Sequence, residues 1–293
     1  MAVPEQPLVA IVGPTGSGKT ELSVKLAQHY NGEIICADSR TIYRGLDIGT
    51  AKPSQSERAR VPHHMIDVVG PGESFTVVDF QRQATALIKD IRLRGKIPFM
   101  VGGSGLYIDS VLFDYKFTSH KPQTLTPDLL TKTVGELKDY CIDNNIELPE
   151  NDRNKRYLIR AIQQKGVNRQ RRSKPIEHTI VVGIATNKES LIARLRLRLN
   201  KIFTNKVVEE TAIFGQRYGW NSEAMKGNVY RVAKQFIDGE LTLEQAKEKA
   251  LTLDWQLAKK QLTWLRRNPF IQWYSIEDAE KYISQLLEHR QRQ

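Results

Sequence analysis

The sequence predicts an α/β fold: a parallel sheet flanked by helices, interrupted by a small helical insertion domain. Three observations predict it. Strand-like and helix-like segments alternate over residues 8–113. A glycine-rich phosphate loop joins the first strand to the first helix. The alternation breaks near Asp114 and resumes at residue 179.

The first strand is the apolar run LVAIV at 8–12, and GPTGSGKT follows at 13–20 before the helix-like ELSVKLAQHY. This is G-x-x-x-x-G-K-[ST] with a strand before it and a helix after it, so the sheet is P-loop NTPase-like. Backbone N–H groups of Gly13, Thr15, Gly16, Ser17 and Gly18, in a loop that also contains Pro14, form with a helix N-terminus a cradle for phosphate oxygens. Lys19 adds a point charge, and the Thr20 hydroxyl is a candidate Mg²⁺ ligand. EIICA at 33–37 reads as the second strand and HMIDVV at 64–69 as the third. Residues 74–95 start with a Ser N-cap, carry apolar residues at helical spacing and end on Gly. IPFMV at 97–101 is a buried strand, and GLYIDSVLF begins the next helix.

Residues 116–178 read as an insertion: a polar, proline-containing linker, a short helix and a basic stretch. The core is then 1–115 and 179–293, with TIVVGIA at 179–185 as the resuming strand. Helices are expected at 187–203, 206–216, 228–238 and 242–267, then a strand at 270–275 and a last helix at 276–290.

Composition narrows the class. With 293 residues and 40% apolar content the chain can bury a sizeable core. No stretch of 18 apolar residues exists, and the N-terminus lacks a basic leader region, so neither a membrane span nor a signal peptide is expected. Two distant cysteines, Cys36 and Cys141, point to a reducing cytoplasm rather than a disulfide framework or a zinc site. A net charge of +11 suggests a polyanionic partner. Residues 151–178 concentrate that charge, with nine Lys/Arg against two Asp/Glu, including Arg169, Arg171 and Arg172.

The strand at 97–101 ends in MVGGSG, without the acid that a P-loop ATPase normally uses to hold Mg²⁺. An acid appears instead at Asp38, just past the second strand, where ligands of open parallel sheets collect. Asp38 can bind Mg²⁺, act as a general base or cap a loop. Asp47 and Thr50 lie in the glycine-rich stretch 45–50 as supporting groups or turn formers. His63 and His64 lack acidic or Cys partners at metal spacing and read as structural polar residues at a strand start.

GPTGSGKT, ADSRTIYRGLDIGTAKP, VPHHMID and VGGSGLYI, in this order, with QLAKKQLTWLRR at 256–267, resemble the tRNA dimethylallyltransferase family. The resemblance implies that the P-loop holds the diphosphate of dimethylallyl diphosphate with Mg²⁺, rather than ATP. It implies a tRNA anticodon stem-loop as partner and the N6 amine of the adenosine next to the anticodon as acceptor. Asp38, Lys19 and Thr20 match the catalytic positions. Asp38, Ser39, Arg40, Thr41, Ser104, Arg156, Tyr157, Arg160, Tyr230 and Arg231 match positions that touch tRNA. A monomer is expected. Ser104 replaces the family Thr, Tyr157 stands where many relatives carry Arg, Val229 replaces Gly, and Trp255 replaces Arg. Three alternatives differ in chemistry: a P-loop kinase of a nucleotide or small metabolite, a non-catalytic RNA-binding relative, and transfer of the same prenyl group to free AMP or ADP. The basic insertion and the charge argue against the last.

Overall fold

The computed structural model describes residues 6–117, 127–149, 151–164 and 171–291. They fall into two compact units, residues 1–111 with 176–293, and residues 112–175.

The larger unit is built on a six-stranded parallel sheet. In chain order its elements begin with β1 (Leu8–Val12), α1 (Lys19–His29), β2 (Gly32–Ala37), α2 (Gln55–Arg60), β3 (His63–His64), α3 (Val77–Leu93), β4 (Ile97–Gly102) and α4 (Gly105–Leu112). After the second unit, β5 (Thr179–Ile184), α8 (Lys188–Ile202), α9 (Asn205–Tyr218), α10 (Asn228–Ile237), α11 (Leu243–Leu265), β6 (Gln272–Tyr274) and α12 (Ile276–Gln291) follow. The strand order is β3-β2-β4-β1-β5-β6. Every residue of β1 is buried, as an apolar run covered on both faces must be. Because the strands are parallel, the loops after β1, β2 and β4 share one edge of the sheet, and this edge positions the site.

Two expectations are corrected. The third strand is only two residues long, because Met65 and Asp67 take left-handed φ values of 61° and 57° and turn the chain out of the sheet. Val68 and Val69 instead donate to the Ile42 carbonyl at 2.7 and 3.1 Å. Helix α3 starts later than residue 74: Thr76, not Ser74, is its N-cap and forms a capping box with Asp79.

The C-terminal helices pack through leucines at i, i+4 and i+8. Leu191, Leu195 and Leu199 of α8 are buried together with Val229, Val232 and Ala233 of α10 and Ala246, Ala250 and Ala258 of α11. Each buried leucine contributes roughly 1.5–3 kcal/mol, and the alanines let the helices approach closely. Val229 is part of this core at 4% exposure.

The smaller unit contains α5 (Pro127–Thr131), α6 (Val134–Asp143) and α7 (Lys155–Gln164). Leu129, Leu137, Cys141, Leu158, Ile159 and Ile162 form its own core. On α7, Leu158, Ile159 and Ile162 face inward, which turns Arg156, Tyr157 and Arg160 to solvent. Arg171 donates to the Tyr115 hydroxyl at 2.9 Å. Arg169 lies outside the described residues.

Candidate active site

The P-loop leaves β1 at Gly13 and enters α1 at Lys19, with Gly16 and Gly18 at φ 82° and 89°. These left-handed conformations allow the loop to curl back on itself. Lys19 Nζ donates to the Pro14 carbonyl at 3.0 Å, so its ammonium is folded over the loop it serves. Burial lowers the Lys19 pKa from 10.5 to about 8, against the opposing pull of the Asp38 charge.

A cavity of about 340 Å³ opens on this loop and brings together Lys19, Thr20, Asp38, Thr50, Arg194 and Arg198. The sequence reading expected Asp38 to face the phosphate cradle, and both line this cavity. Asp38 Oδ1 accepts the Arg40 N–H at 2.8 Å, which fixes the carboxylate just past the end of β2. Ser39 N–H donates to Ser104 Oγ at 3.1 Å, and Ser104 N–H donates to the Ala37 carbonyl at 3.3 Å. That junction needs Gly102: a Cβ there would come within 2.0 Å of the Ala37 carbonyl oxygen. Thr41 also lines the cavity, and Arg40 Nη1 reaches the Glu223 carbonyl at 2.7 Å.

Other expected residues take different places. Tyr230, expected to touch RNA, is 1% exposed and donates its hydroxyl to Glu210 Oε1 at 2.8 Å. It is therefore an internal support, and burial with the neighbouring Glu210 charge pushes its phenol well above the ordinary range. Arg231, next to it, is exposed. Arg156, Tyr157 and Arg160 belong to the smaller unit, exposed on α7. Of the two histidines, His64 bonds Glu33 at 2.8 Å, whereas His63 bonds the Val61 carbonyl at 2.8 Å and also lines the cavity.

Three groups escaped the sequence reading. Arg194 donates to the Ser17 carbonyl at 3.0 Å and Arg198 to the Thr50 carbonyl at 3.3 Å. Their four-residue spacing on α8, beside the buried leucines, was the available signal. Gln261 of α11, noted in the C-terminal motif without a role, accepts the Thr15 N–H at 2.8 Å across 246 residues of chain. A second cavity of about 680 Å³ shares Ala51, Pro53, Arg194 and Arg198 with the first and adds Arg58 and Lys201.

The arrangement suits an anion of two phosphates beside a carboxylate base. It supplies no thiolate: Cys36 lines the cavity, but burial pushes its thiol up to about 12. Among the described residues no group of three or more His, Cys, Asp and Glu could hold a metal. A magnesium ion fits this set differently, because it keeps waters and takes few protein oxygens beside those of a substrate phosphate. Thr20, exposed in the first turn of α1, and Asp38 are a hydroxyl and a carboxylate on the cavity that could supply such oxygens.

Known proteins share this sequence and fold. The tRNA dimethylallyltransferase of Roseiflexus sp. (strain RS-1) is 37% identical over 279 residues, covering 90% of this chain and 91% of that protein. That of Anoxybacillus flavithermus is 33% identical over 302 residues, covering 96% and 95%. The crystal structure of a tRNA isopentenylpyrophosphate transferase from Bacillus halodurans superposes with a TM-score of 0.73 at 32% identity, covering 98% of each chain. A eukaryotic dimethylallyltransferase acting on tRNA superposes with a TM-score of 0.71 at 26% identity, covering 89% of this chain and 70% of that one. No helix among the described residues is long and apolar enough to cross a membrane. A family model described as isopentenyl transferase matches residues 6–67, and the model described as IPP transferase matches residues 41–268. The chain belongs to the IPP transferase family.

Proposed function

We propose that this chain is a tRNA dimethylallyltransferase, acting as a cytoplasmic monomer. It transfers the dimethylallyl group of dimethylallyl diphosphate to the exocyclic N6 amine of the adenosine 3′-adjacent to the anticodon, releasing pyrophosphate. The observation that carries this reading is one cavity holding a P-loop, two arginines and the Asp38 carboxylate, at a sheet edge where β4 ends in glycine rather than an acid. A P-loop ATPase that held its metal beside the loop would need an acid where β4 ends in Gly102. A prenyl transfer needs a diphosphate grip and a base.

Each step has a residue. The amides of Gly13, Thr15 and Ser17 are taken within the protein, so the remaining P-loop amides, with Lys19, Arg194 and Arg198, bind the diphosphate and stabilise the charge that grows on it as the allylic C–O bond breaks. Bound at Thr20, magnesium would neutralise part of that charge. The adenine amine is a weak nucleophile because its lone pair is delocalised into the ring. As the C–N bond forms, Asp38 takes the N6 proton, a contribution of about 10²–10⁴-fold. The target base must leave its stack to reach Asp38. Ser39, Arg40 and Ser104 lie next to that carboxylate and are placed to hold the nucleotide. The exposed Arg156, Tyr157 and Arg160 suit phosphate contact and base stacking on the single-stranded loop. The two cysteines are buried and unpaired, which suits a reducing compartment.

The test is incubation with dimethylallyl diphosphate, Mg²⁺ and an anticodon stem-loop, followed by mass spectrometry of the RNA. A C5 addition at the adenosine supports the reading. ADP formation from ATP with unmodified RNA overturns it.

A further inference from the structure

Three consecutive backbone N–H groups of the glycine-rich loop converge on one side chain. Asp47 and Ile48 donate to Glu210 Oε2 at 2.8 and 2.9 Å, and Gly49 donates to Oε1 at 2.9 Å. Successive amides of this kind make a concave anion site. Here its occupant is the protein's own carboxylate, delivered by α9 and 9% exposed. Tyr230 of α10 donates a fourth hydrogen bond to the same oxygen that Gly49 uses. The loop and the tyrosine are fitted closely: a Cβ on Gly49 would lie 2.5 Å from the Tyr230 ring.

The segment immediately after this clasp reaches the diphosphate cavity. Thr50, Ala51 and Pro53 line it, Ala51 in a left-handed conformation at φ 50°. The Thr50 carbonyl receives Arg198, and Lys52, with its side chain 1% exposed, is tied to the Tyr43 carbonyl, Asp47 and Asp67. The wall of the cavity is thus set by a turn held both by local bonds, such as Thr50 Oγ1 to the Leu46 carbonyl at 2.6 Å and the Lys52 N–H to the Asp47 carbonyl at 3.1 Å, and by the distant Glu210 and Arg198.

We propose that Glu210 is a positioning residue for the donor: by clasping the amides of residues 47–49, with Tyr230 as its brace, it fixes residues 50–53 and the Arg198 contact that complete the diphosphate cavity. Glu210 does not touch the diphosphate. Four donors converge on its two oxygens and stabilise the carboxylate where it stands. The inference rests on the reading that this cavity takes a diphosphate.

The experiment uses the full chain with Glu210→Gln and Tyr230→Phe. Calorimetric titration with inorganic pyrophosphate and Mg²⁺ reads the cavity, filter binding of an anticodon stem-loop reads the RNA surface, and amide hydrogen exchange reads residues 47–49. A Gln at 210 keeps the size but turns an NH₂ toward amides that need an acceptor. We expect Glu210→Gln to weaken pyrophosphate about tenfold, a loss near 1.4 kcal/mol, with stem-loop affinity within about twofold. KM for the prenyl donor should rise more than kcat falls, and exchange should accelerate at 47–49. Tyr230→Phe, which leaves the three amide bonds, should weaken pyrophosphate about threefold. Pyrophosphate and RNA affinity falling together, or exchange at 47–49 unchanged in both variants, overturns the proposal. If the unmodified protein does not bind pyrophosphate, the functional reading fails, and the exchange measurement still decides whether Glu210 holds the loop.

Discussion

β2 carries a carboxylate at each end, and the two are treated in opposite ways. Glu33, near the amino end, is 3% exposed at its side chain and is gripped by Arg94, by Lys96 at 2.8 Å and by His64 at 2.8 Å. Arg94, Lys96 and His64 hold its carboxyl far below the ordinary value of 4.5, the Arg94 hydrogen bonds most of all, despite the opposing effect of burial. Asp38, one residue beyond the carboxyl end, is held by the Arg40 amide and lines a cavity. The difference teaches that charge alone does not mark a reactive acid. A carboxylate whose oxygens are filled by cations is structure, whereas one fixed by a single backbone donor beside an anion cradle can still accept a proton.

Substitutions at both ends break or sharpen this contrast. The largest effect falls on Asp38→Ala, which should cut turnover by at least about 10²-fold while stem-loop binding persists in a filter assay. Parallel loss of both would make Asp38 as structural as Glu33. Lys19→Ala, in the same cavity, should weaken pyrophosphate by about 10²-fold in calorimetry, as expected for a desolvated charge-assisted contact. Intact binding would move the diphosphate elsewhere. Replacing Arg156 and Arg160 together with Ala should leave pyrophosphate binding unchanged and lower the slope of log affinity for the stem-loop against log salt by about 0.7 per residue.

The smallest effect on turnover belongs to Glu33→Gln, whose kcat should stay within about twofold while the protein loses about 2 kcal/mol of stability in urea unfolding. The pH dependence has a definite sign. Because the folded carboxyl lies below its ordinary value of 4.5, its contribution is full above that value and fades as pH drops beneath it. Acidification from neutrality should therefore destabilise the native protein more than Glu33→Gln, and equal acid sensitivity of the two would contradict the ion cluster.

What the sequence revealed was local. The P-loop, the strand before it, the helix after it and the place of Asp38 just past β2 were readable because their signals lie within a few residues of one another. The third strand was misjudged because HMIDVV has the composition of a strand, and only the left-handed turns at Met65 and Asp67 reveal that it leaves the sheet. Tyr230 looked like a contact residue from the family resemblance, yet it is buried and spends its hydroxyl on Glu210. Glu210 carried no signal at all, since the amides it holds are 161 to 163 positions away.

The hydrogen bond from the Thr15 amide to Gln261 has a practical consequence. The motif that announces the phosphate grip is finished by a helix almost at the other end of the chain, and by Arg194 before it. A truncation that keeps the diagnostic octapeptide and discards the last hundred or so residues would retain its signature without a working grasp. Grafting the octapeptide onto a foreign scaffold would meet the same fate, because the shape of this loop depends on contacts from the far end of the chain and is not a portable module.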